Sequence, residues 1–163
     1  MATNANGVAE VTDRDHVRGP KDAAVTIIEY GDYACPHTRA AQAVLDRIAS
    51  ESPDVRIVFR HFPLRHLHRS AEKLARLAEA AGREGRFWDV HDQLMAGDAS
   101  AMAALAGRLE DDALASRVEH DVEQGRVAGV HSTPTFFFGT TMHDGKYDYE
   151  TLSEQLRRAR TGA

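Results

Sequence analysis

Glu29-Tyr30-Gly31-Asp32-Tyr33-Ala34-Cys35-Pro36-His37-Thr38 joins an apolar run, Val25 to Tyr30, to a helical pattern running from Thr38 to Ser50. It holds the one cysteine of the chain. Cys35 falls where a helix N-cap is expected, and Pro36 takes the first helical position. Proline suits that place, because its missing N–H would have been unpaired there anyway. A sulfur at this point faces free backbone N–H groups and the positive end of the helix dipole, and both favour thiolate over thiol. The stretch therefore reads as a strand, a short loop and an activated cysteine opening a helix. The competing reading is an inert buried thiol, a frequent fate of free cysteines. The polar and turn-forming neighbours Gly31, Asp32, Pro36, His37 and Thr38 speak against it.

Upstream, Val25-Thr26-Ile27-Ile28-Glu29-Tyr30 is β-branched and mostly apolar, which fits a central strand. Downstream, Ala41, Val44, Leu45 and Ile48 recur at i, i+3, i+4, i+7 and give the helix one buried face. Ser52-Pro53-Asp54 ends it, and Val55 to Phe62 reads as a second strand closed by Pro63. Strand, helix and strand make a parallel βαβ unit with a right-handed crossover.

The next stretch, residues 65–128, reads as a helical insertion. Its segments are Ser70 to Ala81, Phe87 to Met95, Ala99 to Leu109 capped by Asp98, and Ala113 to Val127 capped by Asp112. Four helices in succession between strands suggest a helical layer rather than further βαβ units. In His131-Ser132-Thr133-Pro134-Thr135-Phe136-Phe137-Phe138-Gly139 the proline marks the start of a strand, not its centre. Thr140 to His143 and the turn Asp144-Gly145-Lys146 suggest a closing hairpin. Asp148 then caps a last helix, Tyr149 to Arg160, with Leu152 and Leu156 inward. At the other end, residues 1–7 read as a tail, Val8 to Val11 as a short edge strand, and Asp13 to Ala24 as a charged connector.

The segment Glu-Tyr-Gly-Asp-Tyr-x-Cys-Pro-His at 29–37 resembles the active-site segment of DsbA-like thioredoxin-fold proteins. Phe59-Arg60-His61-Phe62-Pro63-Leu64, Glu79 to Gly82 with Gly85 to Trp88 and His91-Asp92, and Thr133-Pro134-Thr135 extend the resemblance from about His16 to Ala159. It implies one α/β domain over 1–163: a thioredoxin-like fold with a helical subdomain inserted between its βαβ and ββα halves. That family continues Cys-Pro-His-Cys or Cys-Pro-Tyr-Cys. Here Thr38 fills the fourth position, so a disulfide between the two motif positions is ruled out. The resemblance further implies a cis proline at Pro134 opposite the cysteine, a substrate groove shaped by Pro36, Thr133 and Pro134, and Glu29 as a buried proton relay. Read on its own spacing, Glu29 is equally a strand residue reaching solvent at the strand end.

The chemistry that follows is thiol–disulfide exchange through one sulfur. Cys35 is the nucleophile and forms a mixed disulfide. His37 and the Thr38 hydroxyl tune it by charge and hydrogen bonding. No second thiol resolves the intermediate, so an external one must. The expected partner is a cysteine-containing protein or peptide, with glutathione as a candidate co-substrate and no cofactor. Two other readings use the same residues: a redox-inactive peptide-binding module on this fold, and a peroxide-sensing thiol.

Composition sets the bounds. The chain has 163 residues, 42% hydrophobic and 28% charged, with a net charge of −5. That is enough for one cored domain and leaves no basic footprint for nucleic acid. One cysteine excludes an intramolecular disulfide. No apolar run approaches the ~20 residues that span a bilayer, so no membrane partner is expected. Met1 to Val17 lacks an apolar h-region, so the expectation is no signal peptide and a cytoplasmic location. His66-x-His68 with His61 nearby is read as solvated histidines, and no metal site is assigned. The pattern sets no oligomeric state.

Overall fold

The computed structural model describes residues 7–162, so most of the tail read at 1–7 lies outside the described residues. Val25–Gly31 forms β2 and Val55–His61 forms β3, joined by helix α1, Pro36–Glu51. The two strands pair in parallel, Val25 against Val55 and Gly31 against His61. The two-residue pleat sends Ile27 and Glu29 to one face and Ile28 and Tyr30 to the other. On the first face, Ala41, Leu45 and Ile48 of α1 pack with Ile27, Ile57, Phe136 and Phe138. Leu152 and Leu156 of the last helix, α6 (Tyr149–Thr161), close the same layer. Leu45 and Leu152 are wholly buried, and burial of each stabilises the fold by roughly 2 kcal/mol.

Among the described residues the sheet has five strands, in the order β1 (His16–Arg18), β3, β2, β4 (Thr135–Phe138) and β5 (Thr141–Met142). Strand β4, Thr135–Phe138, runs antiparallel to β2, with Tyr30 opposite Thr135, and β5, Thr141–Met142, pairs with β4. Between β3 and β4 lie α2 (Ala71–Gly82), α3 (Phe87–Met95), α4 (Ala101–Leu105) and α5 (Asp112–Val127). Val118 and Val122 of α5 cover Ile28, Tyr30, Val58 and Phe137 on the second face of the sheet. Leu77, Phe87, Val90, Leu94, Leu105 and Leu114 form a further core, against Tyr33 and Phe59. Among the described residues no helix is long and apolar enough to cross a membrane.

Several boundaries differ from the sequence reading. The connector Asp13 to Ala24 carries a strand, β1 (His16–Arg18), antiparallel to the open edge of β3. Its apolar content is too small to announce a strand. It is held instead by side-chain contacts at its two ends: His16 Nε2 lies 2.7 Å from Glu79, and Arg18 donates to Asp92 at 2.8 Å. The edge strand expected at Val8 to Val11 reduces to a single bridge at Ala9. Residues 65–70 turn rather than coil into a helix. The helix expected from Ala99 starts at Ala101 and passes into a 3-10 turn, Ala106–Arg108. Asp98 takes the Ser100 N–H at 2.8 Å, a local turn that competes with helix. Asp111, not Asp112, caps α5, accepting from Ala113 N at 2.8 Å. Asp148 caps α6 through Thr151 N at 2.8 Å.

One buried cation anchors the N-terminal segment. Arg60 on β3 is fully buried and donates to Asp15 at 2.8 Å, to the Tyr30 hydroxyl at 3.0 Å and to the Ala9 carbonyl at 3.0 Å. A buried guanidinium is tolerable only when its donors are paired in this way.

Candidate active site

Strand β2 ends at Gly31, and three loop residues carry the chain to Cys35, the N-cap of α1. Cys35 is extended, φ −79° and ψ 121°, and its own side chain makes no capping hydrogen bond to the helix. The turn is closed by Cys35 N donating to the Asp32 carbonyl at 2.9 Å. The Cys35 thiol lies 3.4 Å from the Thr133 carbonyl oxygen, to which it donates. The Thr133–Pro134 peptide is cis. The residue is only 4% exposed, so its sulfur sits under the Thr133 segment rather than open to water.

Asp32 organises the loop. Its Oδ1 accepts from Ala34 N at 2.8 Å, while its Oδ2 accepts from Leu64 N at 3.0 Å and lies 2.8 Å from His68 Nδ1. One buried carboxylate thus ties the cysteine loop to the segment after β3. An Asp two residues before the N–H it binds is a standard turn spacing, so the first of these bonds was readable locally. The tie to His68 was not.

Thr38 is fully buried, and its hydroxyl oxygen accepts from Asp32 N at 3.3 Å. Among the described residues no hydrogen bond joins Thr38 to Cys35. Its methyl group packs against Gly31, where an added Cβ would meet Thr38 at 3.0 Å and the Phe59 ring at 2.5 Å. Gly31 is there because strand, helix and ring approach too closely for a side chain. Gly31→Ala is expected to lower unfolding stability by about 1–3 kcal/mol, the usual cost of overpacking, as measured by urea denaturation. An unchanged midpoint would show that the loop has slack.

His37 and Pro36 are exposed. His37 Nδ1 lies 2.7 Å from the Tyr147 hydroxyl, a partner 110 residues away that no local pattern marks. Both border a cleft of about 450 Å³ whose walls include His131, Thr133, Pro134 and Met142. Cys35 is not itself a wall and meets the cleft through Thr133. Thr133 Oγ1 is buried with no hydrogen-bond partner among the described residues.

Glu29 does not reach solvent, contrary to its local reading. It is 1% exposed in the middle of the sheet, paired in register with Phe59 and Phe136. Its Oε1 has no hydrogen-bond partner among the described residues. Burial, with a smaller push from Asp46, raises its pKa to about 8. It shares the α1 face of the sheet with Gly31 and so lies beneath the helix that Cys35 opens.

The histidines correct another expectation. His66 is exposed, but His61 is wholly buried and lies 2.8 Å from Glu79, so the solvated reading fails for it. His91 is also buried: the Tyr33 hydroxyl is 3.0 Å from its Nδ1, and Gln42 Oε1 is 3.2 Å from its Nε2. Burial drives its pKa well down, so the ring is neutral and Tyr33 donates to it.

Comparison with known proteins places this geometry. A model of the family described as thioredoxin matches residues 11–158. Among curated proteins, the chain is similar to a Na(+)/H(+) antiporter NhaA 1 of Salinispora arenicola, 38% identical over 165 residues, 92% of this chain and 25% of that protein. It is similar also to the Na(+)/H(+) antiporter NhaA of Nitrosospira multiformis, 35% identical over 159 residues, 87% of this chain and 25% of that protein. The chain thus spans about a quarter of the length of these relatives. Among solved structures it is similar to oxidised BdbD of Bacillus subtilis, with a TM-score of 0.81, 22% identity, and 91% and 94% of the two chains covered. Pseudomonas aeruginosa DsbA2 gives a TM-score of 0.75 at 27% identity, covering 89% of this chain and 94% of that one. The helix-opening cysteine, the strand order and the family match over residues 11–158 lead to one conclusion: the chain belongs to the thioredoxin family, with a DsbA-like mixed α/β fold.

Proposed function

We propose that the protein is a thiol–disulfide oxidoreductase that works through Cys35 alone. The observation that carries this is the pairing of Cys35 at the start of α1 with a buried threonine, Thr38, where a resolving thiol would stand. The Cys35 thiolate attacks the glutathione sulfur of a mixed disulfide. A Cys35–glutathione disulfide forms and the substrate thiolate leaves. A second glutathione thiolate then attacks that disulfide, releasing oxidised glutathione and restoring Cys35. Each step makes one S–S bond and breaks one, so no further oxidant or reductant is needed.

The other site residues support this as positioning groups. Thr133 gives its carbonyl to the Cys35 thiol, and its hydroxyl, without a partner among the described residues, would serve a ligand. An extended cysteine-containing peptide, or glutathione, would pair with the backbone at Thr133 and Pro134. His37 and its Tyr147 partner offer polar contacts at the cleft mouth. Thr38 acts through Asp32, which holds the cysteine loop, and Glu29 stores a proton beneath α1. Mixing the reduced protein with oxidised glutathione should give one glutathionyl adduct at Cys35 by intact mass. Absence of the adduct would remove exchange from the account.

The burial of Cys35, at 4% exposure, favours one second reading: a peptide-binding module with a silent thiol. In that case partner binding survives Cys35→Ser and no adduct forms. Antiport is not proposed for this chain. The chain corresponds to only 25% of the Salinispora arenicola relative, and its own residues 11–158 match the thioredoxin family.

A further inference from the structure

Apart from the cysteine loop, three side chains from three separate elements converge on one point. His16 comes from β1, His61 from the end of β3 and Glu79 from α2. His16 Nε2 and His61 Nε2 lie 2.7 and 2.8 Å from the same oxygen, Glu79 Oε1. All three ligand atoms fall within 4.8 Å of one another. We propose that His16 Nε2, His61 Nε2 and Glu79 Oε1 bind a divalent transition-metal ion of the zinc type.

The donor set is the first support. Two imidazoles and one carboxylate suit zinc, with a fourth position left to water. Zinc–ligand distances of about 2.0–2.2 Å set tetrahedral ligand atoms roughly 3.3–3.6 Å apart. The two His–Glu separations, 2.7 and 2.8 Å, reach that spacing if each opens by about 0.5–0.9 Å. Rigidity is the second support. The His16 ring stacks on Phe87 at 3.4 Å and 1°, and the His61 ring is edge-on to Phe59 and Phe87. Both rings are therefore aimed before an ion arrives. Access is the third. The His16 side chain keeps 18% exposure, which leaves a way in for an ion and its water.

One group opposes a cation. Arg117 Nε stands 4.0 Å from Glu79 Oε2. Its charge is already taken up by Asp121, to which Nη1 is bound, and its Nη2 donates to the Arg14 carbonyl at 3.0 Å. The oxygen facing the two histidines is the other one. The ion would pin the edge strand and the helical layer to β3, independently of Cys35.

The test is a cobalt(II) titration of the full chain after stripping with a chelator, read by visible absorption. One equivalent should bind at micromolar concentration with tetrahedral d–d bands, and zinc should displace it. His16→Gln, on a partly exposed edge strand, should weaken binding by about 100-fold or more, beyond the 10–100-fold cost of losing an outer-shell partner. Glu79→Gln should do the same, while His66→Gln should not. Absence of saturable one-to-one binding would overturn the proposal. So would binding that survives His16→Gln, or binding that is lost in Cys35→Ser.

Discussion

Cys35→Ser is expected to abolish glutathione-dependent turnover of a glutathionylated peptide, lowering kcat/KM by about 10³-fold or more. Losing a covalent nucleophile is felt on at least that scale in hydrolases. Here the loss should be more complete, because the chain has no other thiol to take over. A serine hydroxyl in the same place is neither ionised nor able to form a disulfide. The companion variant is Thr38→Cys. It supplies a thiol at the buried position three residues into the motif, where an internal sulfur would discharge the Cys35 adduct without waiting for glutathione. Discharge of the adduct should then proceed without added glutathione, leaving an internal disulfide that an external thiol must still reduce to complete the cycle. Wild-type turnover that persists in Cys35→Ser would place the chemistry elsewhere. A Thr38→Cys protein that still needs glutathione at every step would show that the missing thiol is not what shapes the mechanism.

The second large effect concerns Glu29 and pH. In the folded protein its pKa is about 8, against 4.5 in an exposed carboxyl, chiefly because burial disfavours the anion. Between these values the native state holds a proton that the unfolded chain has lost. Stability must therefore fall as pH rises through that window, and it is fully present only below it. Each pH unit removes about 1.4 kcal/mol, so the window from 4.5 to about 8 amounts to roughly 5 kcal/mol for this group. That is a large share of the 5–15 kcal/mol that holds a typical domain together. Glu29→Gln has no proton to lose and should flatten this part of the profile. Urea unfolding of both proteins at pH 5 and pH 9 reads the difference, and contributions from distant groups cancel in it. Parallel profiles would mean that Glu29 ionises in the fold without cost. The same proton is the one that the proposed relay would use, since a carboxyl poised near neutral pH can accept or give it at working pH.

How far the sequence carried the fold depended on the range of each signal. The βαβ unit was legible because its signals are local: β-branched runs, a 3.6-residue apolar stripe, and Pro36 and Pro63 as punctuation. Asp148 as a cap was legible for the same reason. Strand β1 was not, because His16, Val17 and Arg18 carry no apolar pattern, and their strand depends on β3, Glu79 and Asp92 far along the chain. The helix at Ala101–Leu105 came out short where Asp98 made a turn with Ser100 instead. At the site, Cys35 and Pro36 declared themselves through the N-cap rule, and Thr133 and Pro134 through resemblance. Tyr147 beside His37, and His68 beside Asp32, are tertiary pairings without a sequence period. His61 was misread for the same reason: its partner Glu79, which His16 shares, lies far from it in sequence, and spacing arguments group only residues near in sequence.

The proposed turnover runs through one sulfur, which depends on an outside thiol to be freed. The most direct measurement starts from the isolated Cys35–glutathione adduct and follows its discharge at increasing concentrations of reduced glutathione. The predicted rate is proportional to glutathione and extrapolates to zero without it. A rate that does not change with glutathione, or an adduct that glutathione cannot discharge, would contradict the account.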